Sequence, residues 1–169
     1  MRRTHPHSET AFRGLKAQAY VLALVADGLV KSFETIFKQH QLEAFFEVKS
    51  ISEAVGVDKP DKRMFLTALE ALKLLKDKDW VVMVGNNLSR DIKGANQLGI
   101  YSIFLDWSDR RSKIPADTYE MPDLTVKLPL EILGAVGELE TSLIKYHLQS
   151  GHSLPLKALK THEPSSRKQ

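Results

Sequence analysis

The stretch VVMVGNNLSRDIKGANQLGI, residues 81–100, decides the fold. Its opening, with Trp80 before it, is a short apolar, β-branched run closed by Gly85, the pattern of a strand covered on both faces. Leu88, Ile92, Ala95 and Leu98 then recur at helical spacing, and Gly99 stands where a helix stops. Strand, tight turn and helix thus follow in succession. The polar residues gather at the carboxyl end of the strand, where open α/β sheets place their chemistry. A turn built to hold a cation wants a carboxylate first. Here Asn86 and Asn87 lead, and a carboxylate comes only at Asp91.

Working outward, AYVLALVAD (19–27) is an earlier buried strand that ends at Asp27-Gly28. KSFETIFKQHQLEAFF (31–46) carries Phe33, Ile36, Phe37 and His40 on one helical face. FEVKSISEAVG is a short strand running into a loop, with DKPD (58–61) behind it. Pro60 suits the first turn of the next helix, and Asp61 adds an acid near its positive end. That helix turns Met64, Phe65, Ala68, Leu69 and Leu72 inward. Downstream come a strand at 101–107, an irregular stretch with Pro115 and Pro122, an edge strand LTVKL, and a final helix, LPLEILGAVGELETSLIKYHLQ. Strands alternating with helices at this spacing predict an α/β fold, a Rossmann-like parallel sheet with helices on both faces. The domain is expected over 19–148. Residues 1–18 and 149–169, rich in Pro, Ser, His and Lys at their outer ends, are expected to be disordered tails.

Composition narrows the function. At 169 residues and 43% hydrophobic content, the chain is long enough for one domain with a core. It has no cysteine, which removes disulfides, thiolate clusters and a thiol nucleophile. The formal charge of +3 is mild and concentrated toward the ends. No basic, aromatic-bearing face suggests nucleic acid. No apolar run approaches the ~20 residues of a membrane span, and no apolar stretch follows Arg2 and Arg3 to make a secretory signal. The expected compartment is the cytoplasm. His5 and His7, or His147 and His152, make no convincing metal site. His40, on the apolar face of its helix, is expected to be a core residue rather than a base. Arg110 and Arg111 are expected in a solvated loop.

Three stretches, LALVADG (22–28), GVDKPDKRMF (56–65) and VVMVGNNLSRDIKGANQLGI (81–100), occur in the order and on the elements of the second, third and fourth motifs of the haloacid dehalogenase superfamily, which the chain resembles over roughly residues 19–140. The resemblance implies magnesium-dependent hydrolysis of phosphate monoesters, with a phosphorylated small molecule as substrate. It assigns phosphate positioning to Ala26, Asp27 and Gly28, and charge neutralisation to Lys59. Asn86 falls at a magnesium-ligand position, with Asp91 and, more weakly, Asn87 beside it. Ala26 lacks the hydroxyl usual there, leaving the backbone N–H groups, and Gly28 permits their close approach. Asp27 would repel a phosphate if it pointed inward, so it is expected to face outward. Magnesium favours charged carboxylate oxygens, so an amide at Asn86 weakens the site. Asp91 is equally suited to capping the helix that it opens.

The family's first motif, a strand ending in an aspartate nucleophile, has no counterpart in MRRTHPHSETAFRGLKAQ, which contains no aspartate. Without it the chain is expected to be catalytically impaired, either truncated or a pseudoenzyme, and no cap domain is expected. The alternative is a non-catalytic binding or regulatory protein. A nucleotide-binding Rossmann domain is weaker still, since no GxGxxG follows the first strand. In the family that first strand lies between those of the second and fourth motifs. Its loss leaves two central strands without a neighbour, and unpaired buried backbone groups cost about 1–3 kcal/mol each. The simplest expectation is that the two strands close up and pair directly. Otherwise the N-terminal residues fill in, or a second copy or partner chain supplies a strand.

Overall fold

The computed structural model describes residues 6–151. Helix α1 (Pro6–Ala17) leads to strand β1 (Leu22–Ala26), helix α2 (Val30–His40), strand β2 (Phe46–Ile51), a single turn α3 (Ser52–Val55) and helix α4 (Lys62–Ala71). Strand β3 (Val82–Gly85) follows, then a π-type turn over Leu88–Ile92, the short helix α5 (Lys93–Gln97), strand β4 (Tyr101–Leu105), strand β5 (Leu124–Val126) and the long helix α6 (Glu131–Ser150). All strand pairings are parallel. With helices on both faces the fold is Rossmann-like α/β. Among the described residues no helix is long and apolar enough to cross a membrane.

The sheet is divided. β1 pairs with β2, and β3, β4 and β5 pair in that order, but β1 and β3 share no ladder. The two parts are held in one body by side chains on either face. On one face Leu22 of β1 joins Val82 and Val84 of β3 in a cluster with Leu15, Ile132, Ala135 and Leu139 from α1 and α6. On the other, Val25 of β1 and Met83 of β3 pack with Met64, Phe65 and Leu69 of α4 and Ala95 of α5. Alternation along each strand sends these residues to opposite faces. A third cluster packs Phe12, Phe33, Phe37, Leu42, Phe45 and Phe46 over β1 and β2. The expected direct pairing of β1 with β3 is therefore not made: the helices packed across both faces hold the two strands without a shared ladder.

The expectation of a disordered N-terminal tail is overturned for residues 6–17, which form α1. Ala11 and Leu15 are buried. Gly14 lies against Leu133 of α6, where a β-carbon would come within 3.1 Å. Tyr20 closes the connection by donating to Glu140 at 2.6 Å; burial first, and then Glu140, pushes its phenol pKa up. The N-terminal residues so fill the helical layer, not the sheet. The C-terminal tail from 152 onward lies outside the described residues.

Other boundaries moved for local reasons. The helix expected over 31–46 ends at His40, because Gln41 takes a left-handed conformation (φ 54°) that caps it, and Phe46 already belongs to β2. Ile36 is exposed and His40 half-buried, so neither is a core residue. Asp61 caps α4 by accepting from the Arg63 N–H at 2.9 Å, and Pro60 precedes the cap instead of sitting in the first turn. LTVKL supplies β5 at the edge of the larger sheet, as expected.

A candidate phosphate site with both carboxylates engaged

Three loops converge at the carboxyl ends of β1 and β3. The first, 26–28, leaves β1. The second, 56–61, precedes α4 and carries Lys59, whose peptide to Pro60 is cis. The third, Asn86-Asn87, joins β3 to the π-type turn that contains Asp91.

Lys59 and Asp91 form the centre of this arrangement. The Lys59 Nζ lies 2.7 Å from Asp91 Oδ1, and the two side chains are 10% and 7% exposed. The same ammonium donates to the Val25 carbonyl at 2.9 Å. The other Asp91 oxygen, Oδ2, accepts from the backbone N–H groups of Asn86 (3.0 Å) and Asn87 (3.1 Å). Asp91 therefore caps the turn after β3 and neutralises Lys59 at once, consistent with the preference of carboxylates for free helix-start N–H groups. Gly85 makes room for it: a β-carbon there would sit 2.3 Å from the Asp91 Cβ and 2.4 Å from its Oδ2. Gly94 similarly admits the Phe65 ring and the Pro60 carbonyl.

Asp27 does not face outward as a plain turn residue. Its Oδ1 accepts the Lys59 backbone N–H at 2.9 Å, and its Oδ2 pairs with Arg90 Nη1 at 3.0 Å. The carboxylate thus ties the first loop to the second and to the turn after β3, and its side chain is only 17% exposed. Sequence reading missed Arg90 altogether. Its place directly before Asp91, on the exposed side of the same turn, was the available signal. Gly28, at φ 150°, uses a conformation open to glycine, and its N–H donates to Ser52 Oγ at 3.0 Å. A cavity of about 620 Å³ opens beside it, lined by Asp27, Gly28, Ser52, Glu53, Val57 and Asp58 among others.

The sequence-derived candidates separate accordingly. Lys59, Asp91 and the Asn86 and Asn87 backbone come together, with Asp27 one bond away. The Asn87 side chain instead accepts from Ser89 Oγ at 3.0 Å. Arg110 and Arg111 lie in an exposed loop, and His147 of α6 packs against Trp80, which precedes β3. The donors that this chain presents do not fit a magnesium ion. Asp91 is the one carboxylate at the Asn86 turn, and a lysine ammonium already occupies one of its oxygens while two N–H groups occupy the other. Among the described residues no group of three acidic, His or Cys side chains is placed to hold a metal.

Known proteins resemble this chain in sequence and in fold. A family profile described as haloacid dehalogenase-like hydrolase matches residues 2–105. A glyceraldehyde 3-phosphate phosphatase of Methanopyrus kandleri is 31% identical over 126 residues, covering 74% of this chain and 53% of that protein. A phosphoserine phosphatase of Thermus thermophilus is 30% identical over 122 residues, covering 72% and 47% respectively. The chain thus spans about half the length of the curated relatives it matches. A crystal structure of a HAD phosphatase from Thermococcus onnurineus superposes with a TM-score of 0.68 at 24% identity, over 80% of this chain and 59% of that one, a likeness of fold. On the profile match, which covers more than half its length, the chain belongs to the haloacid dehalogenase-like hydrolases.

Proposed function

We propose that these residues form the phosphate-recognising side of a phosphate-monoester hydrolase core, and that the 169-residue polypeptide alone does not hydrolyse phosphate esters. The observation that carries the reading is the occupancy of both strand-end carboxylates. A carboxylate that attacks phosphorus must be free to approach it in line with the leaving group, and one tied between loops by a cation and backbone N–H groups is held as a structural link. Asp91 is committed to Lys59 and two backbone N–H groups, and Asp27 to the Lys59 N–H and Arg90. Neither is set up as a nucleophile. Between residues 6 and 21 the described chain holds a helix and no aspartate.

What remains suits recognition. Lys59, nearly buried and fixed at the strand ends, supplies a cation where transferred charge would develop. Asp27 of the 26–28 loop and the half-exposed Arg90 guanidinium lie beside it, Asp27 accepting from the Lys59 N–H and pairing with Arg90. The phosphatase names of the relatives support a phosphorylated small molecule as the ligand class. A binding role without catalysis is the second reading, favoured by the edges of β1 and β3 that pair with no strand among the described residues.

The test is phosphate release from p-nitrophenyl phosphate and from glyceraldehyde 3-phosphate, with added magnesium. The expected rate is that of the protein-free blank. Magnesium-dependent release that disappears in Lys59→Ala would overturn the proposal.

A further inference from the structure

The three loops and the π-type turn carry two cations, Lys59 and Arg90, and hold them very unequally. Lys59 is enclosed. Its ammonium donates to the Val25 carbonyl and to Asp91 Oδ1, and the Lys59 and Asp91 side chains are 10% and 7% exposed. Parting that pair would leave a buried charge without a partner, so Lys59 stays neutralised by Asp91. Arg90, the residue before Asp91, is 45% exposed. Among the described residues it makes a single hydrogen bond, from Nη1 to Asp27 Oδ2 at 3.0 Å. A guanidinium carries a planar fork of N–H donors, and most of this one's remain unused. Arg13 and Arg63, by contrast, each reach their carboxylate through both Nε and Nη2. A half-exposed pair with one contact contributes little and exchanges readily. The backbone of the first loop offers less, since the Gly28 N–H already donates to Ser52 Oγ.

We propose that Arg90 is a ligand-binding residue of this site, a movable cation that leaves Asp27 to grip the phosphoryl group of a phosphate monoester. The proposal rests on the phosphate-recognition reading above and deepens it with a residue to which the motif resemblance gives no role. The charges favour the exchange. Asp27, Lys59, Arg90 and Asp91 sum to zero, and Lys59 is already matched by Asp91, so Arg90 is the cation that an anion from solution can recruit. A phosphoryl group carries about −1.5 to −2 near neutral pH, more than the single charge of Asp27. Its oxygens also match the guanidinium fork at two points where Asp27 uses one. Asp27 keeps its place when Arg90 leaves, because Oδ1 still accepts the Lys59 N–H. Its carboxylate is thus an internal anion that competes with the ligand for Arg90.

The experiment titrates inorganic phosphate into the isotope-labelled 169-residue chain at constant ionic strength, balanced with chloride. Nuclear magnetic resonance follows the backbone amides together with the Arg90 Nε–H. Saturable shifts are expected at the Arg90 Nε–H and at amides of 26–28 and 56–61, with one dissociation constant. Arg90→Ala should weaken phosphate binding about tenfold or more, and Arg90→Lys less, because lysine keeps the charge and loses the fork. Asp27→Asn should act the other way and tighten binding about threefold, since the amide keeps an oxygen for the Lys59 N–H and releases Arg90. The opposite signs are the signature. A pair that only ties loops together would be loosened by either substitution, and both would weaken binding. Effects of the same sign therefore overturn the proposal, as does an Arg90 Nε–H that stays unmoved while the loop amides shift. In both cases phosphate recognition at Lys59 still stands. Phosphate that shifts no amide of the two loops overturns the proposal and that reading together.

Discussion

β4 and the two strands at the division of the sheet, β1 and β3, are built from similar residues yet live in different environments. YSIFL is paired on both edges, and its Ser102 and Ile103 are wholly inaccessible. LALVA and VMVG are as apolar but are paired on one edge and half-buried. Burial of a strand is thus set by its neighbours, not by its composition. The carboxyl ends of β1 and β3 differ again. There Lys59 and Asp91 bridge the two halves by side chains where the backbone does not. The divided sheet is fastened at the carboxyl ends of its strands and at its faces.

That contrast can be broken most strongly at the bridge. Asp91→Ala removes one partner of a nearly buried ion pair and strands the Lys59 ammonium, an effect of about 3–5 kcal/mol. Urea unfolding should show it as a lower midpoint. A loss under about 1 kcal/mol would mean that the bridge does not join the two halves. Next in size, Ile103→Ala should cost about 2–5 kcal/mol, as for a fully enclosed side chain, and Leu24→Ala clearly less although it removes as many carbons, because its strand is paired on one edge and half-buried. Equal losses would remove the distinction between the two regions. Gly85→Ala forces a β-carbon onto Asp91 and should cost about 1–3 kcal/mol, with the double variant Gly85→Ala/Asp91→Ala costing less than the sum of the singles.

The smallest effect expected is that of Asp61, outside both regions and therefore a control. Its carboxyl is lowered to about 2 by the Arg63 side chain first and the Arg63 N–H second. A carboxyl depressed on folding stabilises above its unfolded value near 4 and loses that contribution as pH falls through about 2. The stability gap between the parent chain and Asp61→Ala should accordingly be level at neutral pH and close between about pH 4 and pH 2. A gap that persists below pH 2 would assign the loss to packing instead of charge.

Much of the fold was legible because it is local. The runs at 22–26, 82–85 and 101–105 are strands for the reasons that their apolar, β-branched content suggests, and Asp61 announces α4. Helix α1 was not legible, because its burial depends on Leu133 and Glu140, which lie more than a hundred residues away in the chain. The fate of the two central strands was equally non-local: helices packed on both faces, not strand chemistry, decide whether they pair. At the site, the motifs located Lys59, Asp91 and the Asn86 turn. They did not show that Asp91 would satisfy two N–H groups and Lys59 together, or that Asp27 would turn toward Lys59 and Arg90. Such pairings follow from the convergence of three loops, and no local pattern encodes them.

The central claim is that one body contains a closed half and an open seam. Native-state amide hydrogen exchange tests it most directly, residue by residue along β1, β3 and β4. Amides of β4 should exchange only through global unfolding, and those of β1 and β3 that face the division of the sheet at least about a hundredfold faster. Uniform protection across all three strands, unchanged on dilution, would mean that β1 and β3 are paired in solution and would contradict the account.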